Sequence, residues 1–308
     1  MWLFKYIAFT LFVLIECKKF RFDYPNYDSE VDGWFKFHRI PAVWRDARLR
    51  CRMEGAVLAS PNDFPLLGGL KRVIADNVGT SRGVYLGANA RFSKGDFSSI
   101  AGVPLARMPV DWLPNEPDNL DNNEECLMMM SNGSIADVSC SRVLPYVCYK
   151  KSTPDMLIND CGTTDKEYNL EPRTGSCYKF HRVSRTWPRA YMACTAEGGH
   201  LAIINSQQEA LVLKEIFANN SPAQVSINSR ETMHIGIHNW NERADWTTIN
   251  GEPIPEPEHH VYFQGQPDTE EFCGGMMRDG ELGYSWCGVI RPFVCEMKPD
   301  SLQQEINK

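Results

Sequence analysis

An acidic segment carries the clearest chemistry in this sequence. Residues 112–126 read WLPNEPDNLDNNEEC, with five carboxylates and four asparagines around two prolines. Like charges at this density repel one another unless a cation neutralises them. Hard cations such as calcium take six to eight oxygen ligands from carboxylates, amide carbonyls and water. The segment therefore predicts a calcium site, and a solvated acidic loop without an ion is the alternative.

The composition sets the scale of the fold that must position this segment. The chain has 308 residues, which suggests about two domains. Its hydrophobic content of 43% and charged content of 23% are those of a globular protein. The formal net charge of −7 and the absence of a basic run in the sequence argue against a nucleic-acid partner.

The N-terminus predicts a secretory signal peptide over residues 1–17. A positive charge at Lys5 precedes a ten-residue apolar run, YIAFTLFVLI, which is too short to span a bilayer. Polar sequence follows, and cleavage is expected near Cys17. No later apolar run approaches 18 residues, so we expect a secreted, extracellular protein without a membrane span.

The cysteines agree with an oxidising compartment. Of the eleven in the chain, ten remain if Cys17 leaves with the signal peptide. An even number in a secreted protein predicts disulfide bonds. Clustered cysteines could also bind zinc, but the sequence contains no C-x-x-C pair, which disfavours a zinc site.

An internal repeat divides the chain into two homologous domains. Lys36-Phe-His-Arg39 recurs as Lys179-Phe-His-Arg182, 143 residues later, and later landmarks recur with slightly larger offsets, as loop insertions would produce. The same offset of 143 relates Trp44 to Trp187. The predicted domains are 18–149 and 157–298. Residues 150–156 are the predicted linker, and residues 299–308 a loose tail.

Each copy begins with the same predicted elements. Short alternating aromatic strands are expected at 34–38 and 177–181. Helices are expected at 41–54 and 187–197, each followed by a glycine, and a second helix near Ser60 and near Ser206. The long Pro- and Gly-rich loops that follow need disulfides and a bound ion to hold them.

Several motifs occur twice in the same order, and together they resemble the C-type lectin family. One is the end of the first helix, Cys-Thr-Ala-Glu-Gly-Gly-His-Leu, which starts at Cys194. Another is a degenerate strand motif, Val-Tyr-Leu-Gly ending at Gly87 and Met-His-Ile-Gly ending at Gly236. The third is the sugar-type motif, Glu116-Pro-Asp118 and Gln266-Pro-Asp268. The arrangement is most similar to secreted dual-domain insect lectins, the immulectins. The resemblance implies an α+β fold of two tandem C-type lectin-like domains. Each would have two helices, small antiparallel sheets, and long loops held by disulfides and ions.

The resemblance also implies the disulfide pairing. Each domain would have one long-range and one short-range bond, and the second domain, as the long form, an additional N-terminal bond. The implied pairs are Cys51–Cys148, Cys126–Cys140, Cys194–Cys295, Cys273–Cys287 and Cys161–Cys177.

For the first domain the resemblance implies a calcium and carbohydrate site. Its carboxylate ligands would be Glu116, Asp118, Glu124 and Asp137, and the peptide bond before the proline of the motif would be cis. Ala136 stands where the family has a ligating asparagine. Since neither Asp118 nor Ala136 can donate a hydrogen bond to a sugar, we expect weak monosaccharide binding with relaxed mannose/galactose preference, and Asn119 as a substitute donor.

The second site is predicted to be degenerate. Gln266, Asp268 and Glu271 retain ligand character, but the Asn-Asp pair that the family uses is replaced by Gly283 and Tyr284. Fewer ligands and less negative charge lower calcium affinity.

Asn132-Gly-Ser134 is a predicted N-glycosylation site in the loop before Asp137.

Three function classes compete. The resemblance implies a secreted, calcium-dependent carbohydrate-binding lectin of innate immunity, which recognises microbial surface glycans such as lipopolysaccharide mainly through the first domain. The alternative is a calcium-independent lectin-like module whose partners are proteins, bound through the second domain. An enzyme is not expected, because the sequence has no H-E-x-x-H, G-x-S-x-G or P-loop motif.

Overall fold

The two sequence repeats form two similar α+β domains. The computed structural model describes residues 20–21, 23–24, 26–78, 83–91, 93–153, 157–220, 231–239, 246–254, 272–299 and 301–302. The predicted signal peptide lies outside these residues. Within them, each domain has two helices and an eight-stranded sheet.

The first domain contains the elements β1 to β8. They are β1 (Asn26–Asp28), β2 (Gly33–Ala42), α1 (Trp44–Met53), β3 (Val57–Leu58), α2 (Phe64–Val78), β4 (Val84–Asn89), β5 (Ser98–Ser99), β6 (Cys126–Met129), β7 (Ile135–Val138) and β8 (Leu144–Lys151). The central strand order is β1-β2-β8-β4-β6-β7, with β3 on β8 and β5 on β4. The pairing of β4 with β8 is parallel and the others are antiparallel.

The second domain repeats this plan. Its elements are β9 (Asn169–Glu171), β10 (Ser176–Arg185), α3 (Trp187–Ala196), β11 (His200–Leu201), α4 (Gln207–Asn219), β12 (Thr232–Asn239), β13 (Thr247–Thr248), β14 (Phe272–Met277), β15 (Leu282–Trp286) and β16 (Arg291–Met297). The strand order is β15-β14-β12-β16-β10-β9, again with one parallel pair, β12 with β16. The predicted fold class is confirmed, but each sheet is larger than expected and mixed rather than purely antiparallel.

The first helix of each domain buries the same face against the sheet. In α1 the buried residues are Trp44, Ala47 and Cys51, a spacing of three and four that places them on one side of a helix. The indole N–H of Trp44 donates to the carbonyl of Leu86 at 2.7 Å. Trp187 repeats this contact on Ile235 in the second domain, at 2.8 Å. The repeated tryptophans therefore join helix and sheet through both an apolar face and a hydrogen bond.

Two glycines allow the strands to approach each other. A Cβ atom at Gly87 would lie 2.2 Å from the carbonyl oxygen of Leu58, and one at Gly236 would lie 2.6 Å from that of Leu201. No side chain fits at such distances. The glycine of the Val-Tyr-Leu-Gly and Met-His-Ile-Gly motifs is therefore required by packing.

Five disulfides hold these elements together among the described residues. The bonded pairs are Cys51–Cys148, Cys126–Cys140, Cys161–Cys177, Cys194–Cys295 and Cys273–Cys287. They are the same five pairs that the resemblance implies. The Cys51 bond ties α1 to β8, and the Cys126 bond fixes β6 to the turn after β7.

Two helix starts differ from the sequence prediction. Residues 41 and 42 continue β2, because Ala42 pairs with Leu144 of β8, and α1 begins only at Trp44. The second helix begins at Phe64 rather than near Ser60. The carboxylate of Asp63 accepts from the backbone N–H of Leu66 at 2.9 Å, so Asp63 and not Ser60 caps this helix.

Candidate functional site

The acidic segment forms an irregular loop between β5 and β6. Asn115, Asn119, Asp121 and Asn122 have positive φ angles of 70°, 46°, 53° and 59°. Asparagine and aspartate tolerate this left-handed conformation better than most residues. The peptide bond between Glu116 and Pro117 is cis, as the resemblance implies. The asparagines and aspartates of the segment therefore allow its left-handed backbone conformations, and the aspartates also supply negative charge.

Three predicted ligands meet at one point. One carboxylate oxygen from each of Glu116, Asp118 and Asp137 lies within 4.8 Å of the other two. Because calcium–oxygen bonds measure about 2.3–2.6 Å, oxygens on one ion lie up to about 5 Å apart. A single calcium ion therefore fits the spacing of these three side chains, and their hard oxygen donors suit it.

Asp137 is the buried base of the cluster. It lies in β7 with only 3% of its surface exposed. Its carboxylate accepts from the backbone N–H of Asp118 at 3.3 Å and of Asn119 at 3.1 Å. These hydrogen bonds hold the loop over β7 and bring the motif beside the strand.

Glu116 carries a buried oxygen whose hydrogen-bonding capacity is unused. Its Oε2 atom has no hydrogen-bond partner among the described residues, although buried polar atoms normally have one. Burial, and then the carboxylates of Asp137 and Asp118, raise the pKa of Glu116 to about 7. A cation between these carboxylates would relieve both the repulsion and the missing contact.

Glu124 and Asn119 lie at the edge of the cluster. Glu124 and Asp118 share one donor, the backbone N–H of Leu120, at 2.9 and 3.1 Å. Burial and the nearby Asp118 also raise the pKa of Glu124. The amide of Asn119 donates to Asn122 at 3.1 Å and accepts from the N–H of Glu124 at 3.3 Å. Asn119 therefore supports the loop, which sequence reasoning did not anticipate.

A cation next to the loop was also not predicted. The ammonium of Lys94 donates to the carbonyl of Asn122 at 2.7 Å. Lys94 lies far upstream in the sequence, and no motif singles it out. Lys94 therefore contacts the part of the loop that contains the asparagines.

The second domain has no carboxylate where Asp137 stands. Ala136 pairs with Met128 in the first domain, and Gly283 pairs with Gly275 in the second. These pairings place Gly283 at the position of Ala136, as the cysteine spacing predicts, and put a tyrosine at the next position. Gln266, Asp268 and Glu271 lie outside the described residues.

The predicted glycosylation site is accessible. Asn132 is exposed in the turn between β6 and β7, and its Oδ1 accepts from the N–H of Ser134 at 2.9 Å. Its modification stays a prediction.

A buried charge network occurs in both domains and was not recognised from the sequence. In the first domain Glu54 contacts Lys36 at 3.5 Å and His38 at 3.1 Å, and in the second Glu197 contacts Lys179 at 3.0 Å and His181 at 3.1 Å. The Lys-Phe-His-Arg repeat was its signal. Each group lies near a half-cystine, but a disulfide sulfur is not a thiolate ligand, so the network is a set of ion pairs rather than a metal centre.

Among the described residues, no helix combines the length and the apolar character that crossing a bilayer requires.

Comparison with known proteins places the chain in a family. The family model of the Lectin C-type domain matches residues 40–150 and 183–297. The hemolymph lipopolysaccharide-binding protein of Periplaneta americana is 34% identical over 132 residues, which cover 40% of this chain and 52% of that protein. The human C-type mannose receptor 2 is 28% identical over 281 residues, which cover 87% of this chain and 18% of that protein.

The chain thus spans about half the length of the first relative and a fifth of the second. Among solved structures, the carbohydrate-recognition domain of a mouse scavenger receptor C-type lectin aligns with 23% identity and a TM-score of 0.34, covering 43% of this chain and 94% of that chain. The family model matches twice, once in each half of the chain. The chain therefore belongs to the C-type lectin family, with two lectin domains in tandem.

Proposed function

We propose that this protein is a secreted, calcium-dependent carbohydrate-binding lectin that recognises microbial surface glycans mainly through its first domain, as a pattern-recognition protein of innate immunity. The observation that carries the proposal is the convergence of Glu116, Asp118 and Asp137 within 4.8 Å. A calcium ion bound there would offer open coordination positions to sugar hydroxyls. The carboxylates would accept hydrogen bonds from these hydroxyls.

The preference for the first domain follows from the donor sets. The first domain offers three converging carboxylates, with Glu124 beside them. In the second, Tyr284 stands at the position of Asp137. Charge and ligand number set calcium affinity, so the first site is the stronger candidate.

The biological role rests on the relatives. One relative is named for binding lipopolysaccharide in hemolymph, and the human relative is named as a mannose receptor. Secretion would agree with the N-terminal apolar run and with five disulfides, which persist in oxidising compartments. Lipopolysaccharide is accordingly the first glycan to test.

The experiment compares capture of the full-length protein by immobilised lipopolysaccharide with calcium and with a chelator. We expect capture with calcium and its loss with the chelator. The variant Glu116→Ala/Asp118→Ala should lose capture, whereas Asp121→Asn, in the same loop but outside the cluster, should keep it. Equal capture by the double variant and the unaltered protein would refute the proposal.

A calcium-independent protein-interaction module is the second candidate. Trp286, at the end of β15, is 49% exposed, and exposed aromatic side chains are enriched at protein interfaces. Chelator-insensitive binding that depends on Trp286 would favour this second function.

A further inference from the structure

The first domain has a second concave site, formed by residues other than the calcium-site carboxylates. A cavity of about 460 Å³ lies between the end of α1, strand β3 and the start of α2. Part of its wall is apolar, from Leu58, Leu66 and Ile100. Its volume falls within the range of about 300–1,000 Å³ that is usual for small-ligand sites.

Two guanidinium groups border this cavity. Arg48 and Arg52 are exposed and lie four residues apart on α1, hence on the same side of the helix. Like charges at this spacing destabilise a helix. Neither arginine has an ion pair within the described part of the chain, although Arg48 lies 5.8 Å from the centre of the Trp44 ring. Two cations are thus placed together without an anion to compensate them.

Two residues that border the cavity each carry a buried polar atom with unused hydrogen-bonding capacity. Ser60 is 6% exposed. Its Oγ atom and the Oδ1 atom of Asn62 are buried, with no hydrogen-bond partner among the residues described. Both residues border the cavity. Since a buried polar atom without a partner costs free energy, the hydroxyl groups of a ligand would supply the missing hydrogen bonds.

Arg52 also lies near another arginine, Arg185 of the second domain. Burial first, and then the charges of Arg189 and Arg52, lower the pKa of Arg185, and the charge of Glu197 opposes them in part. No described residue that borders the cavity is acidic, and its two charged residues are Arg48 and Arg52.

We propose that this cavity binds an acidic monosaccharide, that is, a sugar ring with a carboxylate or a phosphate, without calcium. The anionic group contacts Arg48 and Arg52, whose planar guanidinium groups match carboxylate and phosphate oxygens. The sugar hydroxyls hydrogen-bond to Ser60 and Asn62, and the ring lies on the apolar wall. The first domain would then have a second sugar subsite, which depends on arginines and not on calcium.

Isothermal titration of the full-length protein in a chelating buffer tests this subsite. Glucuronate and glucose 1-phosphate should both bind, and glucose should bind at least about tenfold more weakly because it lacks the charged hydrogen bonds. Inorganic phosphate serves as the anion without a sugar and should also bind at least about tenfold more weakly. Equal binding of phosphate and glucose 1-phosphate, or of glucose and glucuronate, would overturn the proposal.

Variants locate the site. Arg48→Ala/Arg52→Ala should weaken glucuronate binding about tenfold or more. Arg39→Ala/Arg107→Ala removes two exposed cations that do not border the cavity, and it should leave binding unchanged. Ser60→Ala should weaken binding about threefold. If the double alanine variant fails to fold, Arg48→Lys/Arg52→Lys keeps the charge and should still weaken binding, because lysine lacks the planar pair of donors. Unaltered binding by whichever double variant folds would refute the assignment.

Because these titrations contain no free calcium, their outcome is independent of the calcium-dependent function. Loss of calcium-dependent capture with intact glucuronate binding would refute only the proposed function.

Discussion

The guanidinium of Arg189 donates a hydrogen bond to the carboxylate of Asp46 at 3.0 Å, and these residues occupy the same position in the two copies of the repeat. Asp46 lies in the first turn of α1, and Arg189 in that of α3. Where two homologous units meet about a two-fold axis, a residue near the axis meets its own counterpart. The two helices therefore form a pseudo-symmetric contact between the domains.

Other contacts extend this interface along the same helices. Arg50 donates to the carbonyl of Thr195 at 3.5 Å, and Arg21 donates to the carbonyl of Ala196 at 2.5 Å. Met53 packs against the core cluster of the second domain. The two equivalent positions carry opposite charges, so this pseudo-symmetric contact is an ion pair.

Charge reversal tests the interface. Asp46→Arg places two guanidinium groups opposite each other and should lower the free energy of unfolding, whereas Asp46→Arg/Arg189→Asp restores an opposite pair. Both side chains are about one third exposed, so the coupling energy should be about 0.2–1 kcal/mol. A double-mutant cycle in urea measures it. Failure of the double reversal to recover stability relative to Asp46→Arg would exclude a direct interaction.

The repeated landmarks made most of the fold predictable. The offset of 143 residues located both domains, both first helices and the equivalent cysteines, because tryptophan, glycine and cysteine have few substitutes where they are packed or bonded. The equivalence of Gly283 to Ala136 also followed from the spacing of the cysteines. The identity of these landmark residues is fixed by packing or by a disulfide bond, so their positions can be read directly from the sequence.

Contacts between distant segments were not predictable. Lys94 contacts the loop without any motif that joins the two. The Lys-Phe-His-Arg repeat contains Lys36 and His38, but it does not show that Glu54 is their partner. The start of α1 was misplaced because pairing of Ala42 with Leu144 outweighed the helix signal of Pro41. These features depend on contacts between segments that are distant in sequence, and such contacts leave no pattern in the local sequence.

Calcium binding by the first domain should weaken as the pH falls below about 7. Without the ion, Glu116 holds its proton up to about pH 7, so calcium must displace a proton at lower pH. For one displaced proton, affinity should fall by up to about tenfold per pH unit. Titration calorimetry at about pH 6, 7 and 8 measures this. Glu116→Gln should bind more weakly with a flatter profile, and a pH-independent affinity of the unaltered protein would contradict the argument.

Asp118→Asn should change sugar binding and calcium binding in opposite directions. The amide adds an N–H donor for a sugar oxygen. Its Oδ1 can still accept from the N–H of Leu120, which lies 3.1 Å from Asp118 Oδ1 in the unaltered protein. Loss of one carboxylate weakens calcium binding, but at saturating calcium we expect mannose affinity to rise about threefold to tenfold. Asp121→Asn is the matched control. A loss of mannose binding at saturating calcium would show that Asp118 is needed as an acceptor.

Removal of Glu54 should strongly destabilise the first domain. Its side chain is fully buried (0% exposed) and accepts from Tyr24 at 2.6 Å and from Arg50 at 2.8 Å. Glu54→Ala leaves Tyr24 and Arg50 without this acceptor, although Lys36 keeps Asp23, and should lower the free energy of unfolding by about 3–5 kcal/mol. Glu197→Ala is the equivalent change in the second domain. Glu30→Ala, on the surface, should change stability by less than about 0.5 kcal/mol.

The contribution of Glu54 should also depend on pH in one direction. Burial alone would raise its pKa, but the hydrogen bond and charge of His38, with Lys36 and Arg21, outweigh burial and hold the pKa below its ordinary value of 4.5. A carboxylate with a lowered pKa in the folded state stabilises the fold fully above its unfolded-state pKa, and loses this contribution as the pH falls through the folded-state value. The stability difference between the unaltered protein and Glu54→Gln should therefore be constant above about pH 5 and shrink at lower pH. Urea unfolding at several acidic pH values measures it, and a difference that grows on acidification would show that Glu54 is protonated in the folded protein.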